Sequence, residues 1–156
     1  MLAPLEQESP EAAVSLLGAL VRTTIDGATV TIRLNEVEAY RGHDDPASHA
    51  HRGRTQRNQP MFGPAGTIYI YLSYGIHWCM NIVTGKEGDP QGVLLRGGTV
   101  VDGTSVAEER RDRRNHLADG PGKLGQALGI NGDLSGATLN KGPVGLSGLD
   151  TIQSAY

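Results

Sequence analysis

Hydrophobic residues near the start of the chain change from a helical to an alternating spacing. Apolar residues between Ala13 and Val21 recur at helical intervals, and Ser9-Pro10-Glu11 is typical of a helix start, because proline fits the first helical turn. From about Leu20 the spacing becomes two, which indicates a strand. Asp26-Gly27 then predicts a hairpin turn. The sequence therefore predicts a short helix followed by two paired strands.

The second of these strands carries apolar residues at even positions, and the same positions then become polar. They are Val30, Ile32, Leu34, Glu36, Glu38 and Tyr40. If no bulge interrupts the strand, all six side chains share one face. Carboxylates on a core-facing row need a cleft, a partner or a metal, because an unpaired buried charge is too costly. The alternative is a strand that emerges into solvent after Leu34, so that both acids are solvent-exposed at its edge.

A second alternating segment surrounds a turn that contains an aromatic residue. Tyr69 and Tyr71 alternate with isoleucines from residue 68, and the alternation resumes at Ile76 after Ser73-Tyr74-Gly75. This pattern predicts a hairpin with Tyr74 at its tip. Aromatic rings on strands usually belong to a core, whereas a ring at a turn tip suits a wedge that enters a base stack.

The second half of the chain is predicted to supply framework. Val93-Leu94-Leu95-Arg96 indicates a short buried strand that ends in a charge. A charged helix is predicted from Ser105, with its arginines paired to neighbouring acids on a solvated face. Another helix of about eight residues is predicted from Gly120 to Gly129. From Asn131 onward the Gly-, Ser- and Asn-rich sequence predicts loop.

Composition limits the class of protein. A chain of 156 residues is about one domain. The single Cys79 excludes an internal disulfide, and no apolar run approaches the roughly 18 residues of a membrane span, so we expect a reduced, cytoplasmic protein. A net charge of −3 argues against a protein that coats nucleic acid nonspecifically. The predicted architecture for residues 1–156 is one α+β domain with a curved, mostly antiparallel sheet and packed helices.

Residues 41–60 are rich in histidine and arginine. His49-Ala50-His51 has residue types found in metal sites, but no recognised ligand spacing is present, so no metal is predicted. Arg52, Arg54 and Arg57 follow without an acid between residues 47 and 66. This cationic segment is either a solvated loop or a set of phosphate contacts, since arginine forks onto phosphate oxygens.

Eleven short segments together resemble one known family. They are Asn35-Glu36-Val37-Glu38-Ala39-Tyr40, Ser48-His49, Arg52-Gly53, Arg57-Asn58, Met61-Phe62, Pro64-Ala65-Gly66-Thr67, Tyr69-Ile70-Tyr71, Tyr74-Gly75, Cys79-Met80-Asn81, Val93-Leu94-Leu95-Arg96 and Gly120-Pro121-Gly122-Lys123-Leu124. The combination closely resembles the alkyladenine (3-methyladenine, or methylpurine) DNA glycosylase family, from the N-terminal helix to about Ile130. The resemblance implies excision of alkylated purines from duplex DNA by base flipping and hydrolysis of the N-glycosidic bond.

The resemblance also implies a role for individual residues. Glu38 would be the general base that activates water, and Arg96 would help to hold that water. Tyr40, His49 and Tyr71 would line the base pocket and stack on the flipped base. Asn81 would form the floor of the pocket. Tyr74 would fill the gap left in the duplex.

Further expectations concern partners and completeness. The expected partner is double-stranded DNA with alkylated bases, bound by a monomer without a cofactor and, in a bacterium, at the nucleoid. Family members continue past the end of this chain with elements that complete the pocket wall, so we expect a C-terminally shortened domain with a pocket that is open on one side and with weakened or lost activity. Two alternatives remain: a truncated relative that binds damaged DNA without catalysis, and a metal-dependent hydrolase. The latter would use Glu36, Glu38, His49 and His51.

Overall fold

In the computed structural model, which describes residues 2–149 apart from the side chain of His43, six strands form one antiparallel sheet. They are β1 (Leu20–Ile25), β2 (Ala28–Tyr40), β3 (Ile68–Ser73), β4 (His77–Thr84), β5 (Gln91–Asp102) and β6 (Val144–Ser147). The strand order is β3-β4-β5-β2-β1-β6, so β6 returns to the edge beside β1. This curled sheet confirms the predicted architecture.

Three helices pack around the sheet: α1 (Ser9–Leu16), α2 (Thr104–Arg110) and α3 (Pro121–Leu128). Leu16 of α1 and Leu124 of α3 are fully buried and pack against one face of the sheet, where they join Ile32 and Ile82 in the main core. None of the helices within residues 2–149 is long and apolar enough to span a membrane. The class is therefore α+β, as predicted.

Both predicted hairpins form, because their turn residues accept left-handed backbone. Asp26 has a φ of 53° and Gly27 a φ of 78°, and they connect β1 to β2. Tyr74 has a φ of 52° and Gly75 a φ of 67°, and they connect β3 to β4. Positive φ at both central residues matches the twist of a two-residue hairpin. This conformation places Tyr74 at the tip.

A double bulge changes the predicted face of Glu38. Leu34 pairs with Gly98, but Val37 pairs with Leu95, so β2 and β5 each contain one residue more than strict alternation allows. Val37 consequently packs against the main core, and Glu38 lies on the opposite face. The prediction of one continuous face from Val30 to Tyr40 was therefore wrong, because the condition that no bulge intervenes is not met.

The predictions for the charged helix and the C-terminal loop also need correction. The helix begins at Thr104 after Gly103, and within residues 2–149 its arginines form no ion pair with neighbouring acids. Residues 131–149 are not all loop, since they contain a 3₁₀ turn and β6, whose Val144 and Leu146 are buried against the core. The rest of that predicted loop, residues 150–156, lies outside the described residues.

Gly98 tests the bulge because the two strands approach closely there. A β-carbon added at Gly98 would lie 2.4 Å from the carbonyl oxygen of Arg33. We expect Gly98→Ala to lower the free energy of unfolding by about 2 kcal/mol, the usual cost of overpacking. The measurement is urea unfolding, with Gly142→Ala as the control, since no atom lies within 4 Å of the added carbon there. Equal stabilities for the two variants would contradict this bulge geometry.

Candidate functional site

Four neighbouring strands place one residue each in a row across the sheet, on the face opposite the main core. Tyr69 of β3 pairs with Asn81 of β4, Asn81 with Leu94 of β5, and Leu94 with Glu38 of β2. Paired residues point to the same face. The bulge in β2 therefore brings Glu38 to the face that carries the aromatic residues of β3.

Glu38 is held by two donors at one of its oxygens. The Tyr40 hydroxyl donates to Oε1 at 2.7 Å, and the Arg96 guanidinium donates to the same oxygen at 3.0 Å. Arg96 also lies 3.5 Å from a carboxylate oxygen of Glu36, so it bridges the two acids. Among the described residues no group donates to Oε2 of Glu38. This second oxygen is free to accept a proton from another molecule.

The electrostatics of this cluster keep both donors protonated. Partial burial, followed by the hydrogen bond to Glu38, raises the pKa of Tyr40 well above its usual range. The carboxylate of Glu38 likewise raises the pKa of Arg96. The phenol therefore remains a hydrogen-bond donor throughout the physiological pH range, and its orientation fixes the carboxylate.

Beside this cluster lies a small aromatic pocket. It is lined by Tyr40, Ala47, Ser48, His49, Met61, Tyr69, Tyr71 and Asn81. The ring centroids of His49 and Tyr71 are 4.2 Å apart, and the cavity has a volume of about 20 Å³. That volume holds about one water molecule. A purine could enter only after the walls move apart, so the expectation of a pocket that is open on one side was wrong for the described residues.

The rings of the pocket are uncharged near neutral pH. Desolvation by the surrounding side chains, and then the nearby Arg57 charge, lower the pKa of His49. Burial and the neighbouring Cys79 raise the pKa of Tyr71 to about 12. Burial also raises the pKa of Tyr69, which is only 1% exposed. The pocket therefore presents neutral π faces and hydrogen-bonding groups rather than a fixed charge.

Two residues that organise the pocket were missed by the sequence analysis. The Tyr69 hydroxyl lies 3.0 Å from Nδ1 of His49 and fixes the orientation of the ring. Asn58 is almost fully buried, and its amide donates to the carbonyls of His49 and Gly53 at 3.0 Å each. The alternation of β3 placed Tyr69 on the Tyr71 face, and both residues stand in segments that carry the family resemblance, but neither was given a role in the pocket.

The remaining predicted site residues lie on the loop after His49 or at the hairpin tip. Arg52, Arg54 and Arg57 are exposed on the loop that carries His49. The Arg57 guanidinium lies 5.6 Å from the ring centroid of Tyr71, within range of a cation–π contact. Tyr74 is 95% exposed. The structure thus separates a closed pocket from an exposed cationic and aromatic surface.

The described side chains offer no set of metal ligands. No group of three or more His, Cys, Asp or Glu residues within the described part of the chain converges on a point where a metal ion could bind. Glu36 and Glu38 instead share Arg96.

Comparisons with known proteins point to one family. The family model described as methylpurine-DNA glycosylase matches residues 3–155. A protein of Frankia casuarinae is 52% identical over 129 residues, which cover 81% of this chain and 61% of the relative. A protein of Nocardia farcinica is 51% identical over 140 residues (85% and 64%). Both relatives carry the provisional name 3-methyladenine DNA glycosylase. The chain spans about three fifths of the length of these curated relatives.

His49 allows a direct test of the pocket electrostatics. We expect an NMR titration to place the pKa of its imidazole below the usual value of about 6.5. Arg57→Gln should raise this pKa, because it removes a positive charge that disfavours the imidazolium. Arg52→Gln is the matched control, because it removes an exposed arginine from the same loop and leaves the Arg57 charge, which lowers this pKa, in place. A pKa of His49 at or above 6.5 in the unaltered chain would refute this description of the pocket.

Proposed function

The chain belongs to the methylpurine-DNA glycosylase family, and from this premise we propose that it removes alkylated purines such as 3-methyladenine from double-stranded DNA by hydrolysis. One observation carries the proposal. The Glu38 carboxylate is fixed by Tyr40 and Arg96, and Tyr40 at the same time lines the aromatic pocket. A proton acceptor and the aromatic pocket therefore share Tyr40, and in the proposal the pocket opens to bind a flat base.

In the proposed reaction the damaged nucleotide leaves the duplex and its base enters the pocket. Glu38 accepts a proton from a water molecule, and the water oxygen forms a bond to C1′ of the sugar. The N-glycosidic bond breaks, and its electron pair leaves with the base. Because the transition state resembles an oxocarbenium ion, the negative charge of Glu38 also stabilises it.

Recognition of the damaged base follows from the neutral rings. Alkylation gives the purine a positive charge, which favours stacking against electron-rich faces, and a damaged pair opens at lower cost. Tyr40, His49 and Tyr71 would supply these faces. Asn81, only 5% exposed, would form the pocket floor and disfavour the exocyclic amino group of guanine. The contact between His49 and Tyr71 must open for this to occur.

Binding to the duplex would use the exposed residues. Tyr74 has no core role at 95% exposure, and its ring would replace the extruded nucleotide in the stack. Arg52, Arg54 and Arg57 would contact phosphates near the pocket mouth. Because the chain carries a net charge of −3, affinity would depend on such local patches and fall steeply with salt.

The product would be an abasic site in an intact strand. No lysine lies between residues 35 and 81, so the site region offers no side-chain amine that could attack C1′ and lead to strand cleavage. The second candidate function is binding of damaged DNA without base release. The exposed binding surface and the Glu38 cluster are separate features, so the first could operate without the second.

Substitution of Glu38 separates these two functions. We expect Glu38→Gln to slow base release from methylated duplex DNA by at least about 10³-fold, because the amide cannot accept the proton from water. Binding to a duplex that contains an abasic analogue should persist. The assay detects abasic sites by alkaline cleavage and gel electrophoresis.

Glu36→Gln is the matched control for this experiment. It removes the neighbouring acid, 3.5 Å from Arg96, and should change the rate less than about tenfold, since Glu38 keeps both of its donors. Equal rates for Glu38→Gln and the unaltered chain would remove Glu38 from its role. Duplex binding without any base release by the unaltered chain would favour the second candidate.

A further inference from the structure

A second concave surface lies on the other side of the β3–β4 hairpin tip from the pocket. This groove has a volume of about 530 Å³. It is lined by Ile25, Asp26, Ile76, His77, Trp78, Arg110, Arg114, Gly122, Gln126, Gly129 and Ile130. It shares no lining residue with the aromatic pocket. Nothing in the proposed reaction uses it.

The hairpin and α3 shape this groove. β4 pairs with β5 only from Asn81 to Thr84, so its first residues are free of a second strand and α3 packs beside them. A β-carbon at Gly125 would lie 2.3 Å from the carbonyl oxygen of Trp78, so α3 can approach this closely only because glycine stands there. The groove is therefore formed between α3 and the first residues of β4.

The groove carries positive charge that the described residues do not neutralise. Arg110 donates one hydrogen bond to the carbonyl of Ala127, and Arg114 is exposed. Within residues 2–149 neither guanidinium forms an ion pair with a carboxylate. Asp26 is the one acid among the residues that line the groove. Two guanidinium groups in such a position favour phosphate oxygens, which match their planar geometry.

Two large apolar side chains also line the groove. Ile76 is 70% exposed and Trp78 is 36% exposed, and they form an apolar strip in the same cavity as the arginines. A purely ionic ligand would not cover this strip. A chain of alternating sugars and phosphates would place its apolar sugar faces on the strip and its charges on the arginines.

The position of the groove relative to Tyr74 selects the strand. Along β4, Asn81 lines the pocket and Trp78 lines the groove, and residues three apart on a strand point to opposite faces, so the two cavities lie on opposite faces of the hairpin. With the Tyr74 ring in the duplex, the damaged nucleotide passes to the pocket side. The undamaged strand then lies on the groove side. We propose that this groove binds the sugar–phosphate backbone of the complementary strand, with Arg114 and Arg110 as its phosphate contacts; this rests on the proposed function.

Arg114 provides the test, because it is exposed and its substitution leaves the core intact. We expect Arg114→Gln to weaken binding of the full chain to a duplex with one abasic analogue roughly fivefold, and to lower the slope of log affinity against log salt by about 0.9. Arg113→Gln, an exposed neighbour that does not line the groove, should change the affinity less than about twofold on the same scale.

Two further substrates identify the strand that Arg114 contacts. The first is a duplex with uncharged methylphosphonate linkages in the complementary strand, and the second is the single damaged strand alone. On both, the unaltered chain and Arg114→Gln should bind equally. An effect of Arg114→Gln that persists on either substrate, or no effect on the ordinary duplex, would overturn the proposal.

Base release from methylated duplex DNA, measured beside these affinities, separates this proposal from the proposed function. If the chain binds the duplex with the expected Arg114 effect but releases no base, the groove assignment stands and catalysis is refuted. If the chain releases bases but Arg114→Gln binds the duplex as the unaltered chain does, the proposed catalysis stands and the groove assignment is wrong. If the unaltered chain does not bind duplex DNA, both proposals are wrong.

Discussion

The hydrogen bonds that fix Glu38 depend on the double bulge between β2 and β5. If β2 alternated strictly from Leu34 to Glu38, both side chains would lie on the core-facing side of the strand, away from the pocket. The matching extra residue in β5 turns Arg96 to the same side, so acid and guanidinium meet at 3.0 Å. A bulge commonly re-aims a side chain beside an active site. Here it brings the Glu38 carboxylate, the Tyr40 hydroxyl and the Arg96 guanidinium together.

The pocket and the carboxylate beside it differ in charge. Burial keeps the rings of Tyr71 and His49 neutral, while Glu38 carries the negative charge of the site and lies at its edge. Under the proposed function, a cationic base would stack on neutral faces and would form no direct ion pair with the pocket rings. The pocket is closed; one wall is the loop that Asn58 fastens, and the opposite wall belongs to the sheet.

Features that depend on neighbouring residues could be predicted from the sequence, whereas those that depend on distant partners could not. Asp26-Gly27 and Tyr74-Gly75 carry their turn chemistry locally, so both hairpins were predicted. The bulge needs an extra residue in β5 as well as in β2, and no pattern within β2 reveals it. β6 has only two buried apolar positions, and its pairing with β1 decides its structure. The charge spacing of α2 indicated local pairs, but packing against α3 carries Arg110 to the carbonyl of Ala127. In the site, alternation predicted that Tyr69 and Tyr71 share a face. It did not predict the hydrogen bond between Tyr69 and His49, because His49 lies on a distant loop.

The central claim is that the Glu38 carboxylate faces the position where positive charge develops on the sugar. The most direct measurement compares the affinities of the chain for two duplexes, one with a cationic pyrrolidine and one with a neutral tetrahydrofuran at the abasic position. The account predicts that the cationic analogue binds about tenfold more tightly or better, and that Glu38→Gln abolishes this preference, because a fixed carboxylate stabilises charge at that point. Equal affinity of the unaltered chain for both analogues would contradict it.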